Sequence, residues 1–328
     1  MYSIGLDISK STINVYIPIN DLDIVINNDL KSIKRLYSKL KKLYKKDVDK
    51  LTFVYEPTGS YSSLLTKFCS DKKILCFIVN PKKSVNFSKA IGQRNKTDID
   101  DAKMLSKMIV TATINDIKIP IIDEVVEELK ELISYYRFII KQQMQNKSHL
   151  EAISIKEGSS IVIKTIKQEI ESLTNKEIKI IEAIKKIIAK DEKLYKSYLN
   201  IQTIKGIGEI SAIVLLHHFI KYPDTNQREI VSLAGLDPIH KSSGTSVRGK
   251  AKISKAGSNI CRSTLFMATL VSVQHNEELK IFYNRLKENG KHTTVAQIAV
   301  MRKIIVLAHA LYKNNEEYDS SKYKNRMM

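Results

Sequence analysis

Cysteine is scarce in this 328-residue chain, acid is outnumbered by base, and no long uncharged apolar run occurs. The cysteines Cys69, Cys76 and Cys261 are odd in number and lack metal-ligand spacing. That excludes a complete disulfide framework and a thiolate zinc site, and fits a cytoplasmic protein with free thiols. No apolar stretch reads as long enough to span a bilayer, so no membrane partner is expected. Asp7 and Lys10 interrupt the first apolar run, which excludes a signal peptide there. With 54 basic residues against 35 acidic ones the net charge is +19 and the pI about 9.5. Such a surplus favours a polyanionic partner, nucleic acid first. Most of the basic residues are lysines, which suit phosphate attraction more than base reading. Charge alone also permits a ribosomal or membrane-surface role, or a merely lysine-rich solvated surface.

The length suggests more than one domain. Residues 3–8 and 12–17 read as two strands joined by the turn Ser9-Lys10-Ser11. Residues 30–43 are apolar at helical spacing and predict an amphipathic helix. A strand at 51–56, a helix at 60–70 and a strand at 74–79, closed by Asn80-Pro81, complete an α/β pattern with a mixed sheet. A helix is expected over 98–113. Pro120 reduces 117–122 to an edge strand or an extended connection. Two long helical stretches follow, broken at Lys156-Glu157-Gly158-Ser159-Ser160. Their periodicity fits a coiled-coil dimerisation element and equally helices packed on their own domain. The last third predicts helices near 210–219, 260–275, 277–287 and 295–311. The division is 1–124, 125–198 and 199–328.

Four acids lie where such a pattern places them badly unless they act together. Asp7 falls in the apolar run Tyr2-Ser3-Ile4-Gly5-Leu6-Asp7-Ile8. Glu56 ends Leu51-Thr52-Phe53-Val54-Tyr55-Glu56, just before Pro57-Thr58-Gly59. Asp98 and Asp101 lie in Lys96-Thr97-Asp98-Ile99-Asp100-Asp101-Ala102, at a helix start. Buried acids need a partner. Asp98 and Asp101, three apart, share a helix face, whereas Asp100 points elsewhere. All-oxygen ligands suit magnesium, and two ions about 4 Å apart can activate an attacking oxygen and relieve the leaving one. Taken singly, Asp7 also reads as an edge-strand acid, Glu56 as a loop acid, and Asp98 or Thr97 as the helix cap.

These motifs resemble the DEDD transposases, the insertion-sequence recombinases with a RuvC-like, ribonuclease H-like N-terminal domain. The carriers are Gly-Leu-Asp in the first strand, Glu-Pro-Thr-Gly after a later one, and Lys-Thr-Asp-x-x-Asp-Ala. The resemblance implies that Asp7, Glu56, Asp98 and Asp101 bind two Mg2+ ions. It also implies element-end and target DNA, a structured noncoding guide RNA, and a homodimer that pairs into a tetramer on DNA.

The C-terminal third, expected to be mostly α-helical, carries a segment rich in Gly, Ser and Lys. It runs from Leu233-Ala234-Gly235-Leu236-Asp237-Pro238 through Ser242-Ser243-Gly244 to Ile253-Ser254-Lys255-Ala256-Gly257. On its own it reads as a phosphate-handling loop, with Arg248, Lys252, Lys255 and Arg262 supplying charge. No activating base is visible for a serine nucleophile. The family resemblance implies that Ser243, or its neighbour Ser242, is a catalytic serine forming a covalent bond to DNA phosphate. It implies too that this serine and the acids can come from different protomers. Lys205-Gly206-Ile207-Gly208 resembles a helix-hairpin-helix turn whose amides can bind a phosphate, and reads equally as an ordinary glycine turn.

A hydrolytic RuvC-like junction resolvase is the main alternative, since the acids alone allow it. An actin-like ATPase is disfavoured because Ser9-Lys10-Ser11 lacks the glycine of a phosphate loop. A non-catalytic nucleic-acid binder is disfavoured by the presence of all four acids.

Overall fold

The structure is a computed structural model. It describes residues 1–92, 97–239 and 252–322, together with the backbone of 242–243 and 247–248. The chain divides into two compact units, Met1–Asp123 and Glu124–Met328.

The first unit contains strands β1 (Tyr2–Ile8), β2 (Thr12–Ile17) and β3 (Leu22–Asn27), helix α1 (Leu30–Tyr44), β4 (Leu51–Tyr55), α2 (Ser63–Asp71), β5 (Leu75–Ile78), α3 (Pro81–Ala90), α4 (Asp98–Lys107) and β6 (Ile117–Lys118). The strands form one mixed sheet in the order β3-β2-β1-β4-β5-β6. β1, β2 and β3 are antiparallel neighbours, whereas β1, β4 and β5 are parallel. Ile4, Leu6 and Ile8 alternate to one face and bury against Ile33, Leu36 and Leu40 of α1 and Leu65 and Phe68 of α2. The other face carries Ser3, Gly5 and Asp7 and is covered in part by α4, whose Met104 and Leu105 pack with Val54 and Phe77.

Several elements differ from the sequence expectation, among them α4, expected over 98–113 but ending at Lys107. β3 places Leu22, Ile24 and Ile26 on the core side, while Asp23, Val25 and Asn27 take the other; as an edge strand it is only half-buried. Asn80-Pro81 opens α3 rather than merely closing β5: Asn80 Oδ1 accepts from the Lys82 amide at 2.9 Å, and Pro81 sits at the first helical position. The strand at 51–56 stops at Tyr55, which leaves Glu56 just past its end.

The second unit is mostly helical: α5 (Glu124–Ile155), α6 (Ser160–Ala189), α7 (Glu192–Gln202), α8 (Glu209–Lys221), α9 (Gln227–Leu233), short strands β7 (Pro238–Ile239), β8 (Ser242–Ser243), β9 (Val247–Arg248) and β10 (Lys252–Ile253), then α10 (Asn259–His275), α11 (Glu277–Glu288) and α12 (Thr293–Asn314). α5 and α6 run antiparallel, linked by Gln143 to Glu177 at 3.0 Å and Asn146 to Glu169 at 3.1 Å. Only the base of this pair, including Leu129, Ile133, Ile184 and Ile188, joins the core formed with α7 to α12.

One expectation is corrected here. α12 spans 22 residues with mean hydropathy 1.5, so by length and composition it could cross a membrane. Its inward face (Val300, Met301, Ile304, Ile305, Ala308) is instead the centre of the helical core. A core helix passes the same length test, and among the described residues no other helix does.

Candidate active site

Gly5 decides how the first site is built. A Cβ at Gly5 would stand 1.9 Å from the carbonyl oxygen of Ala102, so α4 packs directly on the β1 backbone. Two residues back along β1, the Ser3 and Ser106 hydroxyls are 2.9 Å apart, and Ser106 Oγ also donates to the Ser3 carbonyl at 3.0 Å. Strand residues 3 and 5 therefore face helix residues 106 and 102. Two strand residues advance about 6.6 Å and four helical residues about 6 Å. The same register brings Asp7 to the level of Asp98 at the start of α4.

Glu56 arrives from the neighbouring strand. β1 and β4 are parallel with Leu6 beside Tyr55, so Asp7 and Glu56 follow at the same level. Ser84 of α3 is 3% exposed, and its hydroxyl donates to Glu56 Oε2 at 2.9 Å. This positioning residue escaped the sequence reading, although Asn80-Pro81 was the signal for the helix that carries it. Ser84→Ala is expected to lower strand-transfer rates about tenfold by loosening one carboxylate, in line with losses for outer-shell partners of ligands. Thermal stability should fall by no more than about 1 kcal/mol. A rate equal to wild type would remove Ser84 from the site.

The electrostatics at Asp7 follow from this geometry. Burial first, then the charges of Asp101, Asp98 and Glu56, push the Asp7 carboxyl up to about 6, with the Ile8 amide acting against the rise. Across the ladder Asp7 pairs with Asn14, which is 6% exposed. Thr97, not Asp98, caps α4: its hydroxyl accepts from the Asp100 amide at 3.2 Å and donates to the Asp100 carboxylate at 2.7 Å. Asp100 is thereby engaged in the cap, while Asp98 and Asp101 lie in a first turn whose dipole favours negative charge. Lys103 is turned aside to Asp23 at 2.8 Å. Lys96 of the motif lies outside the described residues.

The donor set, four carboxylates with no sulfur or imidazole, suits a hard divalent cation. Among the described residues, however, no three His, Cys, Asp or Glu side chains stand close enough together to hold one ion as they are placed.

In the second unit the serine segment is a hairpin on a locked base. Pro238 and Ile239 pair with Ile253 and Lys252, and beyond them Ser242 and Ser243 pair with Arg248 and Val247. Arg262 Nη1 donates to the carbonyls of Gly257 at 2.7 Å and Ala234 at 3.1 Å, and Arg302 Nε to that of Leu236 at 2.7 Å. The Ser254 hydroxyl donates to Asp237 Oδ1. Gly257 meets the Leu233 carbonyl so closely that a Cβ would lie 1.8 Å from it. The side chains of Ser242, Ser243 and Arg248, the two named serines included, lie outside the described residues. Lys252 is on β10, and Lys255 takes a left-handed φ of 54° with its amide bonded to the Gly235 carbonyl at 3.1 Å.

At the glycine turn, Gly206 has φ 99° and abuts Ser272 of α10, so its lack of a side chain serves packing. Gly208 caps α8 and has open space around it; Lys205 is exposed.

Comparison with known proteins follows the same division of the chain. Residues 4–153 match the DEDD transposases of the IS110 type, and residues 198–284 match the transposase IS116/IS110/IS902 family. The chain belongs to the IS110 family of transposases. This transposase is 28% identical over 282 residues to the pilin gene-inverting protein of Moraxella lacunata, an alignment covering 82% of each chain. The protein of the same name from Moraxella bovis matches to the same extent. An uncharacterized 43.6 kDa protein of insertion element IS110 from Streptomyces coelicolor is 26% identical over 121 residues, covering 36% of this chain and 29% of its own. The transposase is thus a DNA-recombining enzyme whose two matched regions contain the four candidate acids and the glycine turn with the serine segment.

Proposed function

We propose that the first unit is a ribonuclease H-like, RuvC-like catalytic domain in which Asp7, Glu56, Asp98 and Asp101 hold magnesium at one centre. The observation that carries this reading is the register of α4 on β1, which brings the helical acids to the strand acids. The sheet order, an antiparallel β3-β2-β1 extended by parallel β4 and β5, supports the fold assignment. Two bound magnesium ions would activate the attacking oxygen and offset charge on the leaving one. Asp7 orients from a rigid strand, Glu56 is held by Ser84, and Asp98 and Asp101 face them from α4.

Ser243 is the proposed nucleophile. Its Oγ bonds to a DNA phosphorus while the bond to the 3′-oxygen breaks, and the proton given up by Oγ is balanced by one taken up on the departing 3′-oxygen. That leaves a 5′-phosphoserine and a free 3′-hydroxyl. The 3′-hydroxyl of another strand then attacks the phosphoserine, joins the DNA and frees the serine. The hairpin base held by Arg262 and Arg302 gives the segment a fixed root. Lys205, Gly208, Lys252, Lys255 and Arg248 are proposed to contact element-end and target DNA. A structured noncoding RNA supplies target choice. Residues 125–198 form the dimerisation segment of a dimer that pairs into a tetramer on DNA, between a domain at 1–124 and one at 199–328.

The test is a denaturing gel of the full chain with element-end DNA, cognate RNA and magnesium. A protein–DNA adduct is expected for wild type and for Ser242→Ala, and none for Ser243→Ala. An adduct that persists in Ser243→Ala and vanishes in Ser242→Ala moves the nucleophile by one residue. Strand cleavage with no adduct in any variant would replace the reading by hydrolysis of the resolvase type.

A further inference from the structure

Helix α1 carries Lys31, Lys34, Arg35, Lys39, Lys41 and Lys42 within 15 residues, and no acid. All six are exposed, while Ile33, Leu36, Leu40 and Tyr44 face the core. None of the salt bridges among the described residues reaches α1. Asp29, the N-cap, is engaged by the Ser32 amide at 2.7 Å. Like charges four apart, such as Lys31 with Arg35 and Arg35 with Lys39, cost a helix roughly 0.2–0.5 kcal/mol per pair. Lys31 also stands in the first turn, where the helix dipole disfavours a cation. The pattern therefore weakens the helix and adds nothing to the core. A polyanion lying along this face would relieve both penalties.

The face has a definite size and place. A shallow concavity of about 730 Å3 is lined by Leu30, Ser38 and five of the six basic residues. From Lys31 to Lys42 the row runs about 16 Å, the axial length of roughly five phosphates on one strand. Of the two aromatic residues of α1, Tyr44 is buried and Tyr37 is edge-on to Phe68 at 5.7 Å and capped by Lys41 at 4.8 Å. That leaves no free ring for stacking unpaired bases and favours a duplex, whose phosphates are outermost. α1 covers the sheet face opposite the one that carries Gly5 and Asp7. A duplex on its outer side is separated from the acids by the helix and the sheet, on the order of 15 Å.

We propose that the exposed face of α1 binds the phosphate backbone of a nucleic-acid duplex segment other than the one brought to the acids. The binding is sequence-independent and involves Lys31, Lys34, Arg35, Lys39 and Lys42. It rests on the chain being a transposase and not on the metal centre, because it is read by affinity and not by cleavage.

The test compares full-length wild type with the triple variant Lys34→Glu, Arg35→Glu, Lys39→Glu and its milder glutamine counterpart. Affinity for a 30-base-pair DNA duplex and for an RNA duplex of the same sequence is followed by anisotropy across a salt series. Melting by circular dichroism verifies that each variant is folded; the glutamine set stands in if the glutamate set is not. Affinity is expected to fall at least about tenfold, and the log–log salt slope to become shallower by about two to three, near 0.9 per phosphate released. Loss on both duplexes is the expected result, because the phosphate row is common to them; loss on one alone would contradict recognition through the backbone. Unchanged affinity and slope on both would overturn the proposal. The assay is run in EDTA and reads affinity alone, so failure of the catalytic reading shows elsewhere.

Discussion

Asp7→Asn is expected to abolish strand transfer, by on the order of a thousandfold or more, while leaving DNA binding intact and making the protein more stable at pH 7.5. The two effects have one origin. Burial and three neighbouring carboxylates raise the Asp7 carboxyl to about 6, against an ordinary value of 3.8. A raised carboxyl holds its proton more tightly in the folded state. Its stabilising contribution is complete below about pH 4 and disappears as pH rises through about 6. At pH 7.5 the ionised Asp7 therefore opposes folding, by on the order of 1–2 kcal/mol once solvent screening of this partly exposed group is allowed for. Asparagine removes the charge at every pH. In buffer containing EDTA the variant should melt several degrees above wild type at pH 7.5. The gap should close as pH falls from 6 to 4. A variant less stable than wild type at pH 7.5 would mean that the acids do not repel one another there.

Gly5→Ala is expected to meet harder backbone contacts than alanine at the other described glycines of the first unit, Gly59 and Gly92, and to cost substantial stability. The new Cβ would sit 1.9 Å from the Ala102 carbonyl oxygen and 2.8 Å from the Ser106 amide. Both are backbone atoms and cannot rotate away. α4 must lift off β1, parting Ser3 from Ser106 and weakening the burial of Met104 and Leu105. Overpacking of this kind costs about 1–3 kcal/mol and occasionally more. Because Asp98 and Asp101 ride on α4, strand transfer should also fall at least about a hundredfold, as expected for an ångström-scale misplacement. Chemical denaturation with a parallel joining assay checks both. A stable, active Gly5→Ala protein would show that α4 does not need this contact.

The acids were legible in the sequence because each stands at a break in an apolar pattern: Asp7 within a strand, Glu56 after one, Asp98 and Asp101 opening a helix. What brings them together was not legible as such. Gly5 reads as one more small residue until Ala102, far along the chain, is seen lying against it. Ser84 sits in a short helix whose pattern is weak, since only that serine is buried in it. β3 was hidden by Val25, an exposed apolar residue that blurs the alternation of Leu22, Ile24 and Ile26 with Asp23 and Asn27. α12 reaches beyond 295–311 at both ends, into Thr293-Thr294 and Tyr312-Lys313-Asn314, because these mostly polar residues continue the helix without extending its apolar pattern. The basic face of α1 was read only as the polar side of an amphipathic helix; its exposure and the sheet face it covers come from the structure.

The most direct measurement is a metal-switch assay at Asp7. Strand transfer on element-end DNA would be followed for wild type and Asp7→Cys, each with Mg2+ and with Mn2+. A thiolate is a poor ligand for magnesium and a better one for manganese. If Asp7 holds the cation, Asp7→Cys should be inactive in magnesium and partly restored by manganese, whereas wild type works in both. Full activity of Asp7→Cys in magnesium would contradict a metal centre built on Asp7.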